Sequence, residues 1–341
     1  MKKLITMMLA LVLVLSCGLS YADGTLDVNA DVTLTLECMD EGTALSGVEF
    51  RLYRAADTDS YGNMSWTGAF ADANIALPAN DQDAWRDIET TLASYVGMNG
   101  IQPNDEGSTD ANGILTFPTA GKTMKPGLYL LLSDNALVNG YIYTFAPQLV
   151  FLPDLVETDT PGHYTWEYDV TRRITKFEKV PDIPPDPETV KVRVLKIWND
   201  DDDPNRPAEI TVSLLKNGTV YDTVKLTAAD AWAYTWEGLD ADPMISWSVG
   251  EVQLDGYEQL VVFVGRYNDT YVFTITNTLI PPETPTPAPP TPTPEPPTPV
   301  PTPAPTPPPT GQLRWPIPVL SISGMALVAF GLVRRKRNEE A

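Results

Sequence analysis

Three polar residues interrupt three otherwise apolar stripes in the C-terminal half of this 341-residue chain. Side chains of a strand alternate between its two faces, so along 190–198 the residues Val190, Val192, Val194, Lys196 and Trp198 lie together. Ile245, Trp247, Val249 and Glu251 do so along 244–251, and Tyr271, Phe273, Ile275 and Asn277 along 270–278. An amine, a carboxyl and an amide are thus each carried on a face that reads as core. Burying an ammonium or a carboxylate alone is costly, so the three groups are expected to meet. One outcome is a buried Lys196–Glu251 pair hydrogen-bonded to Asn277. The other is a reaction. A desolvated Lys196 gives up its proton more readily and becomes a nucleophile toward the Asn277 side-chain amide, while Glu251 moves protons as ammonia leaves. The product is an intramolecular Lys–Asn isopeptide bond, made once and without turnover.

The elements that must position these groups are short strands. Over 188–279 the alternation predicts seven, at 190–198, 208–215, 219–226, 232–237, 244–251, 257–265 and 270–278, with Asn217-Gly218 as a hairpin turn. Seven strands in a segment of this length fit an Ig-like sandwich. Residues 23–187 read as a second β-sandwich. There Val32, Leu34, Leu36 and Cys38 share the inward face, so Cys38 stands where the C-terminal half has Lys196. The closing stripe Tyr164, Trp166, Tyr168 and Val170 runs on to Arg172 and holds no asparagine, which predicts no such bond in this half. Cys38 reads as a buried apolar thiol. Trp85, Ile88, Leu92 and Tyr95 are at helical spacing within 81–97, predicting an inserted helix. It either caps one end of the sandwich or joins the loop 61–70 in a binding or subunit surface.

Composition removes several classes of function. The formal charge of −22 speaks against nucleic acid, which needs basic patches. One histidine, His163, and two cysteines, Cys17 and Cys38, leave little for imidazole or thiolate metal sites and exclude a disulfide scaffold. No cofactor and no metal are expected, the run Asp200–Asp203 being read as solvated loop acids. An enzyme of the turnover kind is disfavoured for want of a nucleophile elbow or metal motif.

The two ends give the destination. Lys2 and Lys3, the apolar run Leu4–Leu15 and Ser20-Tyr21-Ala22 read as a signal peptide over 1–22. Residues 280–310 are a Pro/Thr-rich stalk; 281–310 alone hold 17 Pro and 8 Thr, a composition that favours extended polyproline II. Over 311–341 an apolar stretch from Trp315 to Val333 reads as a transmembrane helix, and Arg334-Arg335-Lys336-Arg337 holds its end on the cytoplasmic side.

Several of these residues carry a resemblance. Lys196-Ile197-Trp198, Arg206-Pro207, Trp232-Ala233-Tyr234-Thr235-Trp236, Glu251 six residues before Tyr257, and Ile275-Thr276-Asn277-Thr278 resemble the Cna B-type domain of Gram-positive adhesins and pilins. The resemblance implies that Lys196, Glu251 and Asn277 make the isopeptide bond. Leu45-Ser46-Gly47-Val48-Glu49-Phe50, Pro126-Gly127-Leu128-Tyr129 and Tyr168-Asp169-Val170-Thr171 resemble, more loosely, the N-terminal domains of pilin subunits. The tail is similar to a cell-wall sorting signal, with Pro307-Pro308-Pro309-Thr310-Gly311 in the place of LPXTG and Pro307 standing where that motif has leucine. It implies a sortase that cuts between Thr310 and Gly311 and joins Thr310 to peptidoglycan. Without cleavage the chain stays in the membrane by its C-terminal helix. Together these imply an all-β protein of two tandem Ig-like modules, secreted and held at the cell surface. Because the Tyr-Pro-Lys-Asn pilin motif is absent, a basal or accessory pilin subunit is implied, with other pilin subunits as partners. Lys176 and Lys179 are candidates for joining one, although surface lysines of a linker account for them more simply. The alternative is a stand-alone adhesin that binds a host or matrix ligand through its N-terminal module.

Overall fold

Alternation of apolar and polar residues builds most of the chain into short strands. The computed structural model describes residues 24–78, 82–183 and 189–281, all within one compact unit. The expected signal peptide, and the stalk and sorting signal beyond residue 281, lie outside the described residues.

The C-terminal half forms two facing sheets. One runs, in spatial order, Ala233–Asp240, Thr189–Asn199, Thr270–Leu279, Tyr257–Tyr267; the other runs Thr219–Thr227, Glu209–Lys216, Trp247–Glu251. All seven expected strands are present. The fifth begins at Trp247 rather than 244, because Ile245 is held in a turn by a backbone hydrogen bond to Asp242. Asn217 and Gly218 both take positive φ (50° and 71°), as the expected tight hairpin requires. Val192, Val194, Val212, Leu214, Val249 and Ile275 fill the space between the sheets. The first strand and the last lie side by side and parallel, with Lys196 opposite Ile275 and Trp198 opposite Asn277.

The N-terminal half repeats that closure. Thr33–Asp40 pairs in parallel with Asp169–Ile174, placing Cys38 opposite Ile174, and packs over a sheet built on Glu49–Thr58 and Gly127–Ser133. Val32, Leu34, Leu36 and Cys38 all point inward as the parity requires. The closing stripe differs from expectation. Tyr164–Glu167 leaves the sandwich to pair with Asp154–Glu157 in a separate two-stranded ribbon, and only Asp169–Ile174 closes the sheet. Val170 and Ile174 are its buried residues, while Arg172 turns to an ion pair with Asp154 at 2.8 Å.

The expected helix runs Gln82–Asn99, two residues further than the spacing suggested. Ile88, Leu92 and Val96 bury one face against Tyr53, Phe70 and Leu130. Its other flank meets the C-terminal half. Thr91 Oγ1 donates to the Val261 carbonyl (3.2 Å) and accepts the Val261 N–H (2.9 Å). The Gln259 N–H reaches the Asn74 carbonyl at 2.9 Å. The helix and the segment before it therefore occupy the outer side of the edge strand Tyr257–Tyr267, whose polar backbone would otherwise be open to pairing. Contact is close enough that a Cβ on Gly97 would stand 2.5 Å from the Gly218 carbonyl oxygen.

Candidate functional site

The three polar residues of the apolar stripes converge. Lys196 and Asn277 come from the adjacent first and last strands, and Glu251 reaches them from the opposite sheet. Lys196 Nζ lies 3.5 Å from Glu251 Oε2, with the two side chains 0% and 1% exposed. Asn277 Nδ2 donates to Glu251 Oε1 at 3.0 Å, and Gln259 Nε2 approaches Oε2 at 3.4 Å. Lys196 Nζ has two further, long hydrogen bonds to the carbonyls of Ile197 (3.3 Å) and Ile275 (3.4 Å). Asn277 Oδ1 is buried with no hydrogen-bond partner among the described residues.

Burial sets the protonation states. Desolvation, opposed by the attraction of Glu251, brings the Lys196 ammonium down to about 8. The same loss of water pushes the Glu251 carboxyl above its ordinary range, against the pull of Lys196 and of the Asn277 hydrogen bond. Both shifts favour a neutral amine beside a neutral acid. This is the pair of states in which an amine can attack and an acid can polarise a carbonyl.

An aromatic and ionic layer lies over the amine. Lys196 Nζ stands 4.4 Å from the Trp198 ring centroid, and that indole meets Trp232 (5.2 Å) and Tyr257 (5.4 Å) edge to face. The Arg206 guanidinium sits 5.3 Å from the same ring. Arg206 Nε donates to Asp200 Oδ2 at 2.8 Å, its second arm binds Asp200 Oδ1, and Tyr257 Oη donates to Oδ2 at 3.3 Å. Asp200 is therefore not the solvated loop acid its neighbours suggested. Its side chain is 1% exposed, and the Arg206 guanidinium holds its carboxyl below the usual range. Nothing in the run Asp200–Asp203 distinguished it; the arginine six residues on was the available signal. Among the described residues no group of three or more His, Cys, Asp or Glu side chains is placed to hold a metal ion.

The N-terminal half offers different groups at its parallel seam. Cys38 takes the place of the lysine, and burial pushes its thiol up to about 12. The position two residues beyond its partner Ile174, which corresponds to Asn277, is Lys176, whose Nζ meets both carboxylate oxygens of Glu89 on the helix at 3.0 Å. Lys179 Nζ binds Asp40 at 2.6 Å and lies 4.4 Å from the Tyr141 ring centroid. Both lysines are engaged rather than loose on a linker. Thr310 and Gly311 lie outside the described residues, and among those described no helix is long and apolar enough to cross a membrane.

A sandwich closed by parallel first and last strands, with a buried amine, acid and amide at that seam, defines a class of domain. Residues 192–278 match the family model described as "Cna protein B-type domain", and the chain carries such a domain. A stretch of 103 residues is 32% identical to the Collagen adhesin of Staphylococcus aureus, covering 29% of this chain but only 8% of that protein. Solved structures with detectable likeness include a single B repeat unit of the Staphylococcus aureus collagen-binding surface protein (17% identity, 74% of this chain and 99% of that one, TM-score 0.24). The minor pilin of Streptococcus agalactiae is similar at 17% identity over 75% and 99% of the two chains, with a TM-score of 0.21. The full-length major pilin of Corynebacterium diphtheriae is similar at 13% identity over 77% and 100%, with a TM-score of 0.27. At these scores the superpositions carry no argument about this chain.

Proposed function

We propose that this chain is a structural protein of the Gram-positive cell surface, a basal or accessory pilin subunit, stapled by a Lys196–Asn277 isopeptide bond. The observation that carries the proposal is the meeting of Lys196, Glu251 and Asn277 in a buried seam between the strands that begin and end the C-terminal sandwich. A half-turn of the Asn277 amide brings Oδ1 to the place Nδ2 holds against Glu251, where a protonated Glu251 donates to it. Neutral Lys196 then attacks the amide carbon. Its Nζ–C bond forms, the C–Nδ2 bond breaks, Glu251 passes the amine proton to the departing nitrogen, and ammonia leaves. Tension arriving at Leu279 reaches Asn277 within two residues and crosses to Lys196, so the strands between never bear load. Surface display rests on the tandem β-sandwich modules read at 23–187 and 188–279, the signal peptide and the degenerate sorting motif, with sortase and peptidoglycan as partners. Intact-mass measurement of the full chain tests the bond. Wild type is expected about 17 Da below its sequence mass from loss of one ammonia, and Lys196→Ala or Asn277→Ala at full mass. Wild type at full mass refutes the proposal.

The likeness of about 100 residues to a protein described as a collagen adhesin supports a second reading, a stand-alone adhesin. Wall extracts from the native cells distinguish the two. A ladder of covalent polymers containing this chain supports the pilus reading, and a single anchored species supports the adhesin.

A further inference from the structure

The layer above Lys196 holds two charges whose roles the cross-linking triad does not explain. Asp200 is a carboxylate buried beside a lysine that the proposed reaction needs as a neutral amine, and its field acts to keep that lysine charged. Alone it would work against the chemistry. It is not alone, because Arg206 neutralises it with two hydrogen bonds while lying on the Trp198 ring that Lys196 also touches. Asp202 adds a third bond to Arg206 at 3.0 Å, and Tyr257 caps the remaining face of Asp200.

We propose that Asp200 and Arg206 are positioning residues of the cross-linking centre: their ion pair closes its mouth over Trp198 and cancels the buried carboxylate charge that faces Lys196. The proposal rests on the isopeptide reading above. The groups acting on Lys196 come from several elements: Glu251 from the opposite sheet, with Asn277 of the last strand bonded to it, and Asp200 from the loop after its own strand, to which Arg206 of that loop and Tyr257 of the edge strand are bound. Of these, Asp200 and Arg206 form a balanced pair that can be unbalanced in either direction by one substitution. Neither touches the reacting atoms. They act through the position and protonation of Lys196.

The sign of each effect follows. Arg206→Gln leaves Asp200 unneutralised, favours the ammonium form of Lys196 and moves the pH midpoint of cross-linking upward. A rise of about one unit slows the reaction at pH 7 about tenfold. Asp200→Asn removes the carboxylate whose field favours the ammonium, leaves Arg206 with only the exposed Asp202 as its partner, and moves the midpoint downward. The double variant restores neutrality and brings the midpoint back toward that of wild type. The experiment is cell-free synthesis of the full chain, release into buffers between about pH 6 and 9.5, quenching at intervals, and intact mass for the cross-linked fraction. Opposite midpoint shifts in the single variants establish the proposal. If Arg206→Gln does not fold, the downward shift of Asp200→Asn decides. Unshifted midpoints with uniformly slower rates overturn it, since a merely structural role lowers the rate alike at every pH. Wild type that never loses ammonia overturns the underlying isopeptide reading instead.

Discussion

Replacing Lys196 by methionine removes the amine but keeps an unbranched chain in the channel against Trp198, so the test isolates the staple. The proposed bond closes a loop running from Lys196 to Asn277, about 80 residues, and its removal is expected to return about 4–5 kcal/mol of unfolded-state entropy. If the described chain melts as the one compact unit it forms, each kcal/mol corresponds to about 2–4 °C in a domain of 150–250 residues. The expected fall in Tm is therefore about 8–20 °C. If the C-terminal half melts separately, the shift is about twice that, as its smaller unfolding entropy requires. Scanning calorimetry of wild type and Lys196→Met, each with its intact mass measured, gives both numbers. A wild type lacking the mass deficit, or a pair of Tm values within about 3 °C, refutes the staple as a source of stability.

Other outcomes are expected. Thr91→Val orphans the buried Val261 N–H, at a cost of about 1–3 kcal/mol, and hydrogen exchange at that amide should accelerate about 5- to 150-fold while exchange in the N-terminal sheets is unchanged. Gly97→Ala forces the helix off the Gly218 carbonyl and should lower Tm by several degrees, whereas Gly250→Ala crowds the pliable Met98 side chain rather than backbone and should cost less. The Cys38 thiol, pushed up to about 12, should resist iodoacetamide at pH 8 in the native protein lacking residues 1–22 and react once denatured. Native labelling at the rate of a free thiol would contradict its burial.

Much of the site was legible because each of its polar residues breaks an apolar run of period two. Lys196, Glu251 and Asn277 needed only correct parity along their own strands. Where no breaker stands, alternation misleads. Nothing between Glu167 and Asp169 signals a change of partner, so the ribbon strand and the closing strand read as one. The helix was visible in Trp85, Ile88, Leu92 and Tyr95, but its second contact was not. That contact uses Thr91, a polar residue on another flank, and a backbone 170 positions away. Asp200 was hidden for a related reason: adjacent acids look alike until the fold brings one arginine against one of them.

The helix wedged against Val261 also bears on how the protein would capture anything. Two β-sandwiches joined by a plain tether tumble separately, and fixing one relative to the other adds an ordering cost to every encounter. Here that cost is met at folding, through Thr91, Asn74 and the close approach of Gly97. The described surface of the N-terminal half is thereby tied, through these contacts, to the sheet that ends at Leu279. A partner that engages it gives up less rotational freedom of the pair, and its residence time depends on the contact rather than on the hinge.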